Sequence, residues 1–194
     1  MFEFLIPDRC FLTFDRLTPA FLKKRGIKGL ILDIDNTIVP YEEKEPGTVA
    51  LDWFKRMEEA GIRIAFVSNN NSQRVSEFNA VLGYPHYPDS KKPFGKNIRR
   101  AMRAMGTNRK NTALMGDQIF TDVLAARMAG LCRTFLVPPI KDRTDFLTQT
   151  KRRFERPIIA VYAKTRKLKL KRLRLKKMKL RLPRRKGIKN ELQP

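Results

Sequence analysis

Two aspartates two positions apart, Asp33 and Asp35, end a hydrophobic run in the segment LILDIDNTIVP, residues 30–40. The run predicts a buried strand, and charged side chains in such a strand need a metal or a partner to compensate their burial. In an open α/β sheet, ligands bind beyond the C-terminal ends of the strands. The pair therefore predicts a ligand-binding or catalytic site at that edge, with Thr37 close behind it.

Further polar side chains follow other predicted strands or turns along the chain. They are Ser68 and Asn69 at the end of strand 62–70, Lys92 after the proline-rich turn 84–93, and Asp117 and Asp122 at and beyond the end of strand 111–117. Because parallel strands open on one edge of a sheet, we expect these side chains to converge there.

The elements that must position them alternate between strand and helix. Predicted helices cover 46–61, 72–83, 94–106 and 121–130, and a further strand covers 132–138. Alternation of this kind predicts an α/β fold with a parallel sheet covered by helices on both faces, a three-layer Rossmann-like core. We expect this core in residues 1–150.

The net charge of +23 is concentrated in a C-terminal tail, residues 151–194, which carries 19 Lys and Arg against two Glu, a net of +17. Residues 1–150 carry a net of +6, as a globular domain can. Apolar residues in the tail fall on two opposed sides of a helix, so periodicity assigns it no conformation. A charge block of this kind repels itself, and we expect a flexible or surface-binding segment.

Other features narrow the class of protein. Cys10 and Cys132 form no paired motif, and the single His86 excludes His-rich metal chemistry. The apolar N-terminus is interrupted by Glu3 and Asp8 and lacks a basic region, so it does not have the pattern of a signal peptide. No apolar run reaches the roughly 18–20 residues that span a bilayer. We expect a cytoplasmic protein, and if the basic tail binds lipid, one that lies peripherally on the inner face of the membrane.

Four motifs in order resemble those of the haloacid-dehalogenase (HAD) superfamily of phosphohydrolases. They are DIDNT from Asp33, VSN around Ser68, KKP with Lys92, and GDQIFTD from Gly116 to Asp122. Each alone has a structural interpretation, such as a capped turn or a solvated lysine. Their order and spacing across residues 29–137 favour a phosphatase.

The chemistry of phosphate esters gives these residue types their expected roles. Asp33 is the expected nucleophile, which forms an aspartyl-phosphate, and Asp35 the expected general acid and base. Ser68, Asn69 and Lys92 would bind the phosphoryl oxygens. The resemblance implies Mg²⁺, held by the Asp33 carboxylate, the Asp35 main-chain carbonyl and Asp117, with Asp122 either as a direct ligand or as a partner of the ligands.

The gaps between the motifs are too short for a cap domain, which leaves the site open to a substrate whose bulk stays outside. This layout resembles the capless class IIIA phosphatases, and the N-terminal segment LIPDRCFLTFDRLTP looks like their YqeG-like branch. That branch is similar to the mitochondrial phosphatidylglycerophosphate phosphatases. The resemblance implies conversion of phosphatidylglycerophosphate to phosphatidylglycerol.

Two partners fit the basic tail. An anionic membrane surface attracts Lys and Arg at about 1 kcal/mol each, and interleaved leucines add apolar insertion. RNA or the ribosome is the alternative through phosphate contacts, although no aromatic follows Tyr162 on which bases could stack. The alternative function is accordingly a soluble phosphatase of nucleotides, sugar phosphates or phosphoproteins with an RNA-binding tail.

Overall fold

The computed structural model describes residues 3–131, 133–141, 150 and 153–165. The chain forms two compact units, Met1–Ile158 and Ile159–Pro194. The second unit is described only at 159–165, which are helical, so most of the basic tail lies outside the described residues. The boundary between residues 150 and 151 stays a prediction. Glu155 and Ile158, which the sequence grouped with the tail, are buried within the first unit.

The first unit is built on a six-stranded sheet in which every pairing is parallel. Its strands are β1 (Arg9–Cys10), β2 (Gly29–Leu32), β3 (Arg63–Val67), β4 (His86–Tyr87), β5 (Thr112–Gly116) and β6 (Arg133–Leu136). Their spatial order is β1-β6-β5-β2-β3-β4. The predicted parallel α/β fold is confirmed.

Residues 153–165 are helical, and among the described residues five further α-helices connect or flank these strands. They are α1 (Pro19–Lys23), α2 (Thr48–Glu59), α3 (Ser72–Asn79), α4 (Lys96–Ala104) and α5 (Leu124–Met128). The predicted helix 121–130 differs from the observed one, because a π-helix, Ile119–Val123, comes directly before α5. Within the described residues, no helix is both long and apolar enough to cross a membrane.

The two faces of the sheet bury separate hydrophobic clusters, because successive side chains of a strand point to opposite faces. In β2, Leu30 and Leu32 pack in the cluster that contains Trp53 and Phe54 of α2. Ile31 packs in the other cluster, with α4 and α5. All four residues of β2 are buried, so the strand that precedes Asp33 is fixed from both sides.

The edge strands β1 and β4 were not predicted. β4 lies inside the proline-rich segment 84–93, and its two residues pair with Phe66 and Val67. The gap between Thr37 and Ser68 contains only α2 and β3, and the gap between Ser68 and Lys92 contains only α3 and β4. No cap domain is present among the described residues, as predicted.

Candidate active site

The C-terminal ends of β2, β3 and β5 bring the predicted residues together. Asp33, Ser68 and Asp117 each follow the last residue of their strand directly. A cleft of about 260 Å³ opens at this edge, and its lining is mostly polar. It is lined by Asp33, Asp35, Asn36, Tyr41, Ser68, Asn69, Asn70, Lys92, Gln118 and Thr121.

Lys92 links two of the buried carboxylates. Its Nζ lies 2.7 Å from Asp33 Oδ1 and donates to Asp122 Oδ1 at 2.6 Å. Burial alone lowers the pKa of this ammonium, but the carboxylates of Asp122 and Asp33 outweigh burial and raise the pKa above its ordinary value. Lys92 therefore stays charged, and an ammonium with three donors retains one for a phosphoryl oxygen.

The carboxyl group of Asp33 has a perturbed pKa. Burial is the largest cause and raises it, the nearby Lys92 opposes this, and the charges of Asp122 and Asp35 raise it further, to about 7. A carboxylate in this setting is a strong candidate for a functional group.

Asp33, Asp117 and Asp122 form a cluster suited to a cation. Each offers a carboxylate oxygen, and these oxygens all lie within 4.8 Å of one another. Three carboxylates this close together in a largely buried place repel one another, and a bound cation would relieve that repulsion. Hard oxygen ligands and this concentration of negative charge fit a divalent cation.

The acidic motif depends on a close approach that only glycine permits. A Cβ at Gly116 would overlap the Asp122 side chain at Cγ, Oδ2 and Cβ. The Asp122 carboxylate also accepts hydrogen bonds from Gln118 N at 3.1 Å and Thr121 Oγ1 at 3.2 Å. Gly116 and the π-helix thus place a fully buried Asp122 against Lys92.

The side chain of Asn69 is engaged with the main chain of Lys92. Asn69 Oδ1 accepts from Lys92 N at 2.7 Å, and Nδ2 donates to Lys92 O at 3.3 Å. The predicted phosphoryl-binding residue therefore also holds the segment that carries Lys92. Ser68 is buried at the end of β3, and its Oγ accepts from Asn70 N at 3.0 Å.

Asn36 stabilises the loop after β2. Asn36 has a left-handed φ of 60°, its N donates to Val39 O at 2.7 Å, and its Oδ1 accepts from Lys141 N at 3.2 Å. Thr37 Oγ1 is buried and makes no hydrogen bond with the part of the chain that the structure describes.

Two residues that the sequence motifs do not include contact the Asp35 carboxylate. Arg74 Nη2 lies 3.0 Å from Asp35 Oδ1, and Arg74 Nε donates to the same oxygen at 3.2 Å. Asn70 Nδ2 donates to Asp35 Oδ2 at 2.9 Å. Arg74 is the third residue of α3, and a charged residue there looks exposed in the sequence. Only its contact with Asp35 in the folded chain reveals this role.

Comparisons with known proteins identify the family to which this chain is related. The family model described as mitochondrial PGP phosphatase matches residues 2–141. The Bacillus subtilis (strain 168) protein named "Probable phosphatase YqeG" is 37% identical over 158 residues, 81% of this chain and 91% of that protein. The cobalt-bound deoxy-D-mannose-octulosonate 8-phosphate phosphatase (YrbI) of Haemophilus influenzae shares the fold, with a TM-score of 0.50 and 18% identity over 66% of this chain and 77% of that one.

The family match and the 37% identical relative identify a HAD-type phosphatase of the YqeG-like branch, and the parallel α/β core has the fold expected of that class. The chain belongs to the family described as mitochondrial PGP phosphatase. The expected superfamily, fold and enzyme class are therefore confirmed, and the roles of the individual site residues remain predictions.

The perturbed pKa of Asp33 predicts a pH-dependent stability in metal-free protein. An unfolded Asp loses its proton near 3.8, whereas folded Asp33 keeps its proton up to about pH 7. The folded state binds more protons between these values, so we expect its free energy of unfolding to fall as pH rises from about 4 to 7.

Denaturant unfolding in chelator, for wild type and Asp33→Asn, isolates this contribution. The stability difference between the two proteins should change across that pH range. A difference that is independent of pH would contradict the proposed burial of the Asp33 charge.

The contacts of Arg74 predict an effect that depends on the leaving group. We expect Arg74→Ala to lower kcat/KM for alkyl phosphates at least about tenfold, because a poorly oriented Asp35 protonates an alkoxide inefficiently. The aryl ester 4-nitrophenyl phosphate needs little protonation and should be much less affected. Gln73→Ala, at an exposed neighbouring position of α3, serves as the control. Equal losses on both ester classes would argue against orientation of Asp35 by Arg74.

Proposed function

We propose that this protein is a Mg²⁺-dependent phosphatase that converts phosphatidylglycerophosphate to phosphatidylglycerol at an anionic membrane surface. The observation that carries the chemistry is the cluster of Asp33, Lys92 and Asp122 at the open polar cleft. The substrate follows from the description of the family that matches residues 2–141.

Asp33 attacks phosphorus in the first step. A bond forms between an Asp33 carboxylate oxygen and phosphorus as the bond from phosphorus to the ester oxygen breaks, and Asp35 gives its proton to the departing alkoxide. Lys92 donates to a phosphoryl oxygen and offsets the charge that develops there. The buried hydroxyl of Ser68 lines the same cleft and supplies a further polar group.

Water releases phosphate in the second step. A water molecule attacks the phosphorus of phosphorylated Asp33, and Asp35 accepts a proton from that water. The bond between phosphorus and the Asp33 oxygen breaks, which releases inorganic phosphate and the free carboxylate. Arg74 and Asn70 keep Asp35 oriented between the two steps. Bound Mg²⁺ would be held by Asp33, the Asp35 carbonyl, Asp117 and Asp122, and would screen the repulsion between carboxylate and phosphate.

The surroundings of the cleft favour a lipid substrate. An apolar groove of about 460 Å³ includes Leu12, Val49 and Ile140, all of which are exposed. The groove borders the cleft, because Ile140 N donates to the carbonyl of the cleft residue Asn36 at 3.1 Å. A polar cleft beside an apolar groove suits a phosphorylated head group attached to acyl chains.

The basic tail supports docking at an anionic surface. Residues 151–194 carry a net charge of +17, and each Lys or Arg near an anionic bilayer contributes about 1 kcal/mol. We therefore assign the tail a peripheral membrane contact. The alternative is a phosphatase of soluble esters whose tail binds RNA or the ribosome, and the following experiments distinguish the two.

Phosphate release tests the substrate directly. We expect wild type with Mg²⁺ to hydrolyse phosphatidylglycerophosphate in vesicles with a kcat/KM at least about 100-fold above that for nucleotides, sugar phosphates and phosphopeptides. Asp33→Asn should be at least about 1,000-fold slower, since it removes the nucleophile. A preference for any soluble ester would overturn the lipid assignment, and activity of Asp33→Asn would overturn the role of Asp33.

Neutralising part of the tail tests the membrane contact. Replacing Lys169, Lys171, Arg172 and Arg174 with Gln should weaken binding to vesicles of anionic lipid at least about tenfold. Turnover of a soluble ester should stay within about twofold. The matched control makes the same charge change in the first unit, at the exposed residues Lys23, Lys24, Lys55 and Arg56. Unchanged vesicle binding by the tail variant, or stronger binding to RNA than to vesicles by wild type, would contradict membrane docking.

A further inference from the structure

Glu155 is a buried carboxylate far along the chain from the four sequence motifs. Its side chain is 3% exposed, and its Oε1 accepts from Ile119 N at 2.7 Å and from Phe120 N at 3.0 Å. Both donors belong to the first turn of the π-helix Ile119–Val123. A carboxylate this deeply buried needs such partners, because an uncompensated charge in the interior is costly.

The two N–H groups likewise need Glu155. The first N–H groups of a helix have no acceptor within the helix, and a buried N–H without a partner is destabilising. Within the π-helix, the ladder of hydrogen bonds begins with Asp122 N and Val123 N, which both donate to Gln118 O. Glu155 therefore completes the beginning of a helix that residues 118–123 leave incomplete.

The same π-helix carries Thr121 and Asp122, so its placement fixes the acidic loop, residues 117–122. Asp122 Oδ1 accepts the hydrogen bond of Lys92 Nζ, and its Oδ2 accepts from Thr121 Oγ1. The Asp122 side chain also lies so close to Gly116 that a Cβ at residue 116 would overlap it. A shift of the π-helix would thus move Asp122 relative to Lys92.

An apolar contact secures Glu155 against the π-helix. Ile158, one helical turn beyond Glu155, is 4% exposed and packs in a cluster with Ile119, Val123 and Leu136. The intervening residues Arg156 and Pro157 are exposed. The two buried positions, and not the exposed ones, hold residues 153–158 on the acidic loop.

We propose that Glu155 is a positioning residue, which holds the acidic loop so that Asp117 and Asp122 present their carboxylates to the metal site and to Lys92. This inference rests on the proposed metal-ligand roles of Asp117 and Asp122, and it is independent of which phosphate ester is the substrate. The proposal also gives the first residues of the predicted tail a role in the site, although their basic composition suggests a solvated segment.

Mg²⁺ titration calorimetry on the metal-free, full-length protein tests this role, together with steady-state turnover of a soluble ester. Glu155→Leu removes the acceptor, and we expect its Mg²⁺ dissociation constant to rise at least about tenfold. Its kcat should fall at least about tenfold, with KM for the ester within about threefold. Glu155→Gln keeps an acceptor oxygen at the same distance and should restore most of both quantities.

Two controls separate positioning from general stability. Glu59→Leu makes the same change at an exposed position of α2, and Glu155→Asp keeps the charge but shortens the side chain, which provides a test should the Leu variant fail to fold. All variants are compared at temperatures where thermal unfolding shows them fully folded. A folded Glu155→Leu or Glu155→Asp with wild-type Mg²⁺ affinity and kcat would overturn the proposal. A preference of wild type for a soluble ester would overturn only the lipid assignment.

Discussion

The ammonium of Lys92, shared between Asp33 and Asp122, is the interaction on which the rest of the candidate site depends. All three groups are buried, so removal of the Lys92 ammonium would take the shared cation away from two buried carboxylates, a change that commonly costs about 3–5 kcal/mol. Asn69 holds the Lys92 main chain, and Gly116 admits the Asp122 carboxylate. The fold around this cluster is therefore arranged to keep three charges within hydrogen-bonding distance.

The charge balance of the cluster connects the metal-free protein with its chemistry. Carboxylates that lie this close together repel one another, and in the protein without metal Asp33 keeps a proton up to about pH 7. A divalent cation would remove the need for that proton and leave Asp33 as the carboxylate that a nucleophile must be. The charges of Asp122 and Asp35, which add to the effect of burial on this pKa, also favour a bound cation.

Much of the site could be predicted from sequence, because its residues directly follow long buried strands. Asp33, Ser68 and Asp117 each come directly after a hydrophobic run, and the end of that run is evident in the sequence. Strands β1 and β4 have two residues each, too few to show any periodicity. A π-helix likewise has no distinct hydrophobic pattern, so the observed start of the helix differed from the predicted one.

The supporting residues escaped prediction for a different reason, namely that their partners are distant in sequence. Arg74 and Asp35 belong to different elements, as do Glu155 and Ile119, and no spacing rule links them. Glu155 was further hidden by its neighbours, since a single acid in a basic stretch reads as part of a solvated tail. Burial alone distinguishes it, and burial is a property of the folded chain.

The dimensions of the cleft limit where selectivity for a lipid can arise. A mostly polar space of about 260 Å³ accommodates a phosphoryl group and its immediate ester oxygen but offers little apolar surface to acyl chains. Discrimination must then come from outside it, from the groove at Leu12, Val49 and Ile140 and from surface attraction by the tail. Attraction to a surface raises the local concentration of every head group there without changing the chemistry. A capless phosphatase can in this way favour membrane substrates while its catalytic residues remain able to act on any accessible monoester.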